Sequence, residues 1–100
     1  RRDLVLSYLN KIPGVKCNVL TGAFYLFPDV STYFGTKDGD QLIQDGDDLC
    51  MYLLREGNIA LVDGKGFGAP NCIRISYAAS EEQLIKAMER LTAALAKLSR

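Results

Sequence analysis

Residues 66–91 read GFGAPNCIRISYAASEEQLIKAMERL. Successive strand side chains point to opposite faces. A strand over residues 72–78 therefore sends Ile73, Ile75 and Tyr77 one way and Cys72, Arg74 and Ser76 the other. The following Ser80-Glu81-Glu82-Gln83 is a capping box, in which the serine hydroxyl can accept from the Gln83 N–H while the glutamine reaches back. Leu84, Ile85, Ala87, Met88, Leu91, Ala94, Leu95 and Leu98 then recur at helical spacing. Lys97 and Arg100 complement the negative end of that helix. A strand with one apolar face thus leads directly into a long amphipathic helix that can cover it. The anomaly is Arg74, because arginine is seldom fully buried without a partner.

Working outward, residues 3–12 place Leu4, Val5, Tyr8, Leu9 and Ile12 on one side of a helix, and Pro13-Gly14 stops it. Residues 15–19 are read as a short edge strand. Residues 22–30, GAFYLFPDV, are an aromatic-rich strand whose ladder Pro28 ends for want of an N–H. Residues 31–48 form a polar loop punctuated by Gly-Asp and Asp-Gly pairs, with one helical turn around Tyr33. A second helix begins near Asp47, with Asp45, Asp47 and Asp48 at its positive end. Leu49, Cys50, Tyr52 and Leu53 supply its apolar face, Arg55 stands near its end, and Gly57 is read as its left-handed cap. A brief strand at 59–62 and the glycine-rich turn at 63–71 complete the chain. This order predicts an α+β fold, with helices packed against a small, largely antiparallel sheet.

The 100 residues suffice for a single domain with one core, spanning 1–100. Twelve basic and twelve acidic residues cancel, which removes the electrostatic footprint of a nucleic-acid or anionic-membrane binder. No apolar run approaches the ~20 residues of a membrane span. Cys17, Cys50 and Cys72 have no CxxC spacing and apolar neighbours, so they are read as reduced thiols in a cytoplasmic protein. The chain has no histidine, which excludes a Ser-His-Asp triad, a Cys-His pair and the common zinc sites within it. It opens Arg-Arg-Asp, without an initiating Met and straight into a helical pattern. A piece of a longer protein is therefore expected.

Four groups invite a functional reading. Arg74 faces away from the predicted core, where a planar guanidinium is suited to gripping a carboxylate through two parallel hydrogen bonds. From the pattern alone, a surface arginine paired with an aspartate or glutamate is the favoured reading. Gly64-Lys65-Gly66-Phe67-Gly68 is neither GxGxxG nor GxxxxGK[ST], and a strand follows it, so a structural loop is expected. Asp38-x-Asp40 resembles the opening of a calcium loop, but Leu42 occupies the third ligand position. No metal site is assigned. Phe24, Tyr25, Phe27, Tyr33 and Phe34 lack the positive charge of a base-stacking platform and are assigned to core packing, with Tyr33 and Phe34 available to an interface. No catalytic constellation emerges.

The run at 66–91, with its aromatic-Gly turn, Arg-Ile-Ser-Tyr-Ala strand, serine cap and helix, resembles the end of class I/II pyridoxal-phosphate-dependent aminotransferases, closest to the aspartate aminotransferase group. GAFYLFPDVS at 22–31 resembles that family's first small-domain strand, and DLCMYLLREGNIALVDG at 48–64 its helix and following strand. The resemblance implies the C-terminal small domain of a fold-type I transferase. It assigns Arg74 to the substrate α-carboxylate and leaves Phe67, in the 64–71 loop, at the edge of the pocket.

The resemblance also implies that the catalytic lysine, and the groups that hold pyridoxal phosphate, lie in a large domain of the same chain. None of Lys11, Lys16, Lys37, Lys65, Lys86 and Lys97 sits in the family's Ser-Lys motif. The implied parent is a homodimeric cytoplasmic enzyme that moves an amino group from an amino acid to a 2-oxo acid. The isolated fragment is expected to bind no cofactor and to be inactive, with no nucleic-acid or membrane partner. The alternative is a stand-alone α+β module that binds a carboxylate, or serves a regulatory role, without catalysis.

Overall fold

The computed structural model describes residues 2–17, 25–77 and 79–99. Their order is α1 (Arg2–Leu9), β1 (Tyr25–Leu26), a 3-10 turn (Ser31–Tyr33), β2 (Lys37–Asp38), β3 (Gln41–Leu42), α2 (Gly46–Gly57), β4 (Val62–Asp63), a second 3-10 turn (Gly64–Phe67), β5 (Ile73–Ser76) and α3 (Glu81–Ala96). The α+β architecture is the one expected from the sequence.

Strand β5 is the middle of an antiparallel sheet ordered β1-β5-β4. Leu26 pairs with Ile75 and Tyr25 with Ser76 on one side, while Val62 pairs with Arg74 and Asp63 with Ile73 on the other. This register fixes the two faces. Leu26, Ile73 and Ile75 are at most 2% exposed and join the core. Tyr25, Val62 and Ser76 are exposed on the opposite face, and Arg74 is half-buried among them.

The ladder lapses over Phe27 and Pro28. The Pro28 carbonyl accepts from the Ile73 N–H, and Asp29 resumes the pairing with a bridge to Lys16 on one side and to Cys72 on the other. The edge strand expected at 15–19 is seen as that single bridge at Lys16, and its last two positions, with residues 22–24 of the aromatic strand, lie outside the described residues.

Helix α3 starts where the capping box places it, with Ser80 Oγ accepting from the Gln83 N–H at 3.2 Å. Its Leu84, Met88, Leu91, Ala94 and Leu95 are buried against α1 and α2. A fully buried leucine of this kind contributes about 1.5–3 kcal/mol. Helix α1 ends at Leu9, earlier than the apolar pattern suggests, but turns carry Ile12 and Val15 back into the core.

Helix α2 is closed by a reciprocal pair of aspartates. Asp45 Oδ1 accepts from the Asp48 N–H at 2.9 Å, and Asp48 Oδ2 accepts from the Gln44 N–H at 3.0 Å. At its other end the left-handed residue is Asn58, at φ 52°, and not Gly57. Asparagine tolerates that region, while Gly57 remains helical and packs beside Ala94 of α3. The strand expected at 59–62 is β4, displaced to Val62–Asp63 because that is where β5 offers partners.

The polar loop at 31–48 is more ordered than the sequence suggests. Its helical turn falls at Ser31–Tyr33, and a hairpin of β2 and β3 follows across Gly39-Asp40. Gly39 has φ 62°, which suits a tight hairpin turn. The buried Tyr52 ties this hairpin down: its hydroxyl lies 3.0 Å from Asp38 Oδ2 and 3.1 Å from the Ala94 carbonyl oxygen and shares its proton between them. Burial, then the Asp38 hydrogen bond and nearby acids, push its pKa up to about 12.

Candidate functional site

The outer face of the three-stranded sheet centres on Arg74. Ile73 and Ile75 are held inside on either side of it, so the strand pleat sends the arginine outward. Its guanidinium carbon lies 4.4 Å from the centre of the Tyr25 ring and 4.9 Å from that of Phe67. Phe27 sets its ring against Phe67 at 5.8 Å and 61°, an edge-to-face arrangement.

Phe67 is delivered by the 3-10 turn, which is capped at both ends. Asp63 accepts from the Lys65 N–H, and the Gly68 N–H reaches the carbonyls of Gly64 and Lys65 from a left-handed conformation. The start of the turn admits only glycine. A Cβ on Gly64 would stand 2.5 Å from the Ala69 carbonyl oxygen and 2.6 Å from that of Cys72. The glycine-rich run is therefore a structural turn, as its spacing suggests, closed against its own chain at Gly64 and open at Gly66 and Gly68.

No acid neutralises Arg74 among the described residues. Their ion pairs are Arg2–Asp3 at 3.7 Å and Lys86–Glu82 at 3.6 Å, both on the surface. Nor does any buried side-chain nitrogen or oxygen among them lack a hydrogen-bond partner. The guanidinium, half-buried and without such a partner, thus keeps its N–H groups open to solvent. Of the two readings the sequence allowed, an arginine paired with an internal acid is not what these residues show.

The aromatic residues divide differently from the expectation of a common core. Tyr25 is 37% exposed and Phe67 56% exposed. Phe27 is half-buried and packs edge-on against Phe67. Tyr33 and Phe34 are half-buried against the core, and the Tyr33 hydroxyl donates to the Pro13 carbonyl at 2.6 Å. Phe24 lies outside the described residues. The missing signal was phase. Once Leu26 is inside, Tyr25 and Phe27 must point out with Arg74.

The other candidates are occupied by structure. Asp38 serves the hairpin and Tyr52, and Asp45 and Asp48 serve the start of α2. Cys50 is buried, and Cys17 and Cys72 are half-buried. Burial raises the pKa of all three thiols, that of Cys50 to about 12, so they are protonated and weakly nucleophilic near neutrality. All six lysines are exposed. Among the described residues there is no cluster of metal-ligating side chains and no helix long and apolar enough to cross a membrane.

Comparison with known proteins places this geometry in context. The sequence model of a family described as aminotransferase class I and II matches residues 1–91. A bifunctional aspartate aminotransferase and glutamate/aspartate-prephenate aminotransferase of Petunia hybrida is 48% identical over 96 residues, 95% of this chain and 20% of that protein. The crystal structure of the aspartate aminotransferase from Rhizobium meliloti superposes with a TM-score of 0.93 at 42% identity, over 98% of this chain and 25% of that one. The aspartate aminotransferase from Thermus thermophilus with maleate superposes with a TM-score of 0.76 at 35% identity, over 93% of this chain and 22% of that one. This chain thus spans only 20% to 25% of the length of these three proteins.

Proposed function

The chain belongs to the class I and II aminotransferases, and we propose that it is the small domain of an aspartate-type enzyme in which Arg74 binds the α-carboxylate of the amino-acid substrate. The observation that carries the reading is a half-buried guanidinium set against two rings, with its N–H groups open and no acidic partner among the described residues. A carboxylate fits that arrangement because it accepts two parallel N–H bonds in the guanidinium plane. Such a charge-assisted contact is worth about 1.5–3 kcal/mol. The Thermus thermophilus relative was solved with maleate, a dicarboxylate, which supports the same ligand class.

Fixing one end of the substrate limits the freedom of the other, and this is the contribution of Arg74 to the reaction. The ring surfaces beside it cover part of the cation, and less water around a charge pair strengthens it. Pyridoxal phosphate, implied by the family, supplies the carbonyl chemistry that takes up and returns the amino group. A phosphate cradle is not offered by the closed Gly64 turn, and the surface lysines provide no enclosed site. On the family likeness, the proposal places cofactor binding in a large domain beyond these residues, in a homodimeric cytoplasmic parent that transfers the amino group to a 2-oxo acid.

The decisive experiment is Arg74→Ala in the full-length enzyme, with steady-state kinetics on aspartate. The contact energy above predicts a fall in kcat/KM of about 10- to 100-fold. Near wild-type kinetics would remove Arg74 from the site. The isolated domain should neither transaminate nor bind aspartate measurably by calorimetry, whereas useful affinity there would favour a stand-alone carboxylate-binding module.

A further inference from the structure

Rings, and no acid among the described residues, hold the cation in place. Tyr25 stands on β1, and Phe67 ends the turn that follows β4. Strand β5 runs between β1 and β4, and both rings reach Arg74, one from the neighbouring strand and one from the turn. Phe67 is steadied in turn by Phe27 and by the closed backbone at Gly64. We propose that Tyr25 and Phe67 are positioning residues, a clamp that holds the Arg74 guanidinium ready for an incoming carboxylate. The proposal rests on the reading of Arg74 given above.

The two interactions use different parts of one group. A guanidinium is attracted to an aromatic face through its own π surface. It binds a carboxylate through N–H groups in its plane. Ring contact therefore leaves the binding edge available. A long side chain free in water loses rotamer freedom when it grips a ligand. Rings that restrain it beforehand remove that loss from the binding step. The hydroxyl of Tyr25 has no part in this scheme, so phenylalanine should serve as well there.

The test uses the full-length enzyme, with aspartate as substrate and maleate as a competing carboxylate. Tyr25→Leu and Phe67→Leu should each raise the KM for aspartate and the inhibition constant of maleate by about fivefold, within the range of a partly desolvated cation–π contact. The kcat should stay within about twofold, since binding and not the chemical step is disturbed. Tyr25→Phe should restore wild-type values. Should Tyr25→Leu fail to fold, Phe67→Leu, at the more exposed position, carries the test. Unchanged KM and inhibition in a folded Phe67→Leu enzyme overturns the clamp. If Arg74→Lys meanwhile weakens maleate more than tenfold, the carboxylate role of Arg74 stands without the clamp. If Arg74→Lys also behaves as wild type, both proposals fall.

Discussion

The two faces of the β1-β5-β4 sheet are built from adjacent residues yet follow opposite rules. On the inner face Leu26, Ile73 and Ile75 are buried with α3 and the rest of the core, and any group lost there leaves a void. On the outer face Tyr25 and Val62 remain exposed beside Arg74, with Phe67 above them. Removing a side chain there leaves little or no cavity. Neighbouring residues on one short strand thus part company: the inner set packs the core and the outer set stays at the surface.

Truncating one residue on each face puts the division between the faces to its most severe test. Ile75→Ala should cost about 2–5 kcal/mol in urea unfolding, the usual price of a large-to-small change in a packed core. Arg74→Ala should change that stability by less than about 1 kcal/mol, since its contacts are the half-exposed cation–π kind. If Arg74→Ala proved as destabilising as Ile75→Ala, the outer face would be structural and the division false.

An intermediate effect is expected at Tyr52, the polar group within the apolar side. Tyr52→Phe removes the hydroxyl shared by Asp38 and Ala94 and should cost about 1 kcal/mol. It should also alter the response to alkali. Tyr52 is raised from 10.0 to about 12, mainly by burial, and Cys50 from 9.0 to about 12 for the same reason. The unfolded chain therefore loses these protons first. Stability is complete below about pH 9 and falls as pH rises from there towards 12. The decline should be shallower in Tyr52→Phe when urea midpoints are followed from pH 8 upward. An unchanged slope would show that Tyr52 is not held protonated by the fold.

A smaller, local effect belongs to the start of α2. Asp45→Ala removes the acceptor for the Asp48 N–H and should lower stability by about 0.5–2 kcal/mol, without changing aspartate kinetics. A change in KM there would mean that the outer face is less independent of the helices than its register implies.

Legibility in the sequence follows the same division. The inward phase of β5 was readable because Ile73 and Ile75 bracket a charge, and the start of α3 because Ser80 and Gln83 stand at capping distance. The outward placing of Tyr25 is not legible in the sequence because a two-residue strand carries no periodicity of its own, and its phase comes only from the pairing of Leu26 with Ile75. The hairpin at Gly39-Asp40 was hidden for a related reason, its strands being two residues each and mostly polar. Arg74 stood out as a chemical oddity, but its aromatic neighbours come from residues 25 and 67, far away along the chain.

Gly64 shows how far this spatial logic reaches. Any larger residue there must displace the Ala69 and Cys72 carbonyls, and the displaced backbone carries Phe67 three positions later. On the proposed role of Arg74, ligand affinity would be open to retuning from a position that touches no ligand, by leverage through a stiff turn. In directed evolution of this domain, gains or losses traced to position 64 would be mechanical in origin, and their signature would be a tilted Phe67 above an otherwise unaltered arginine.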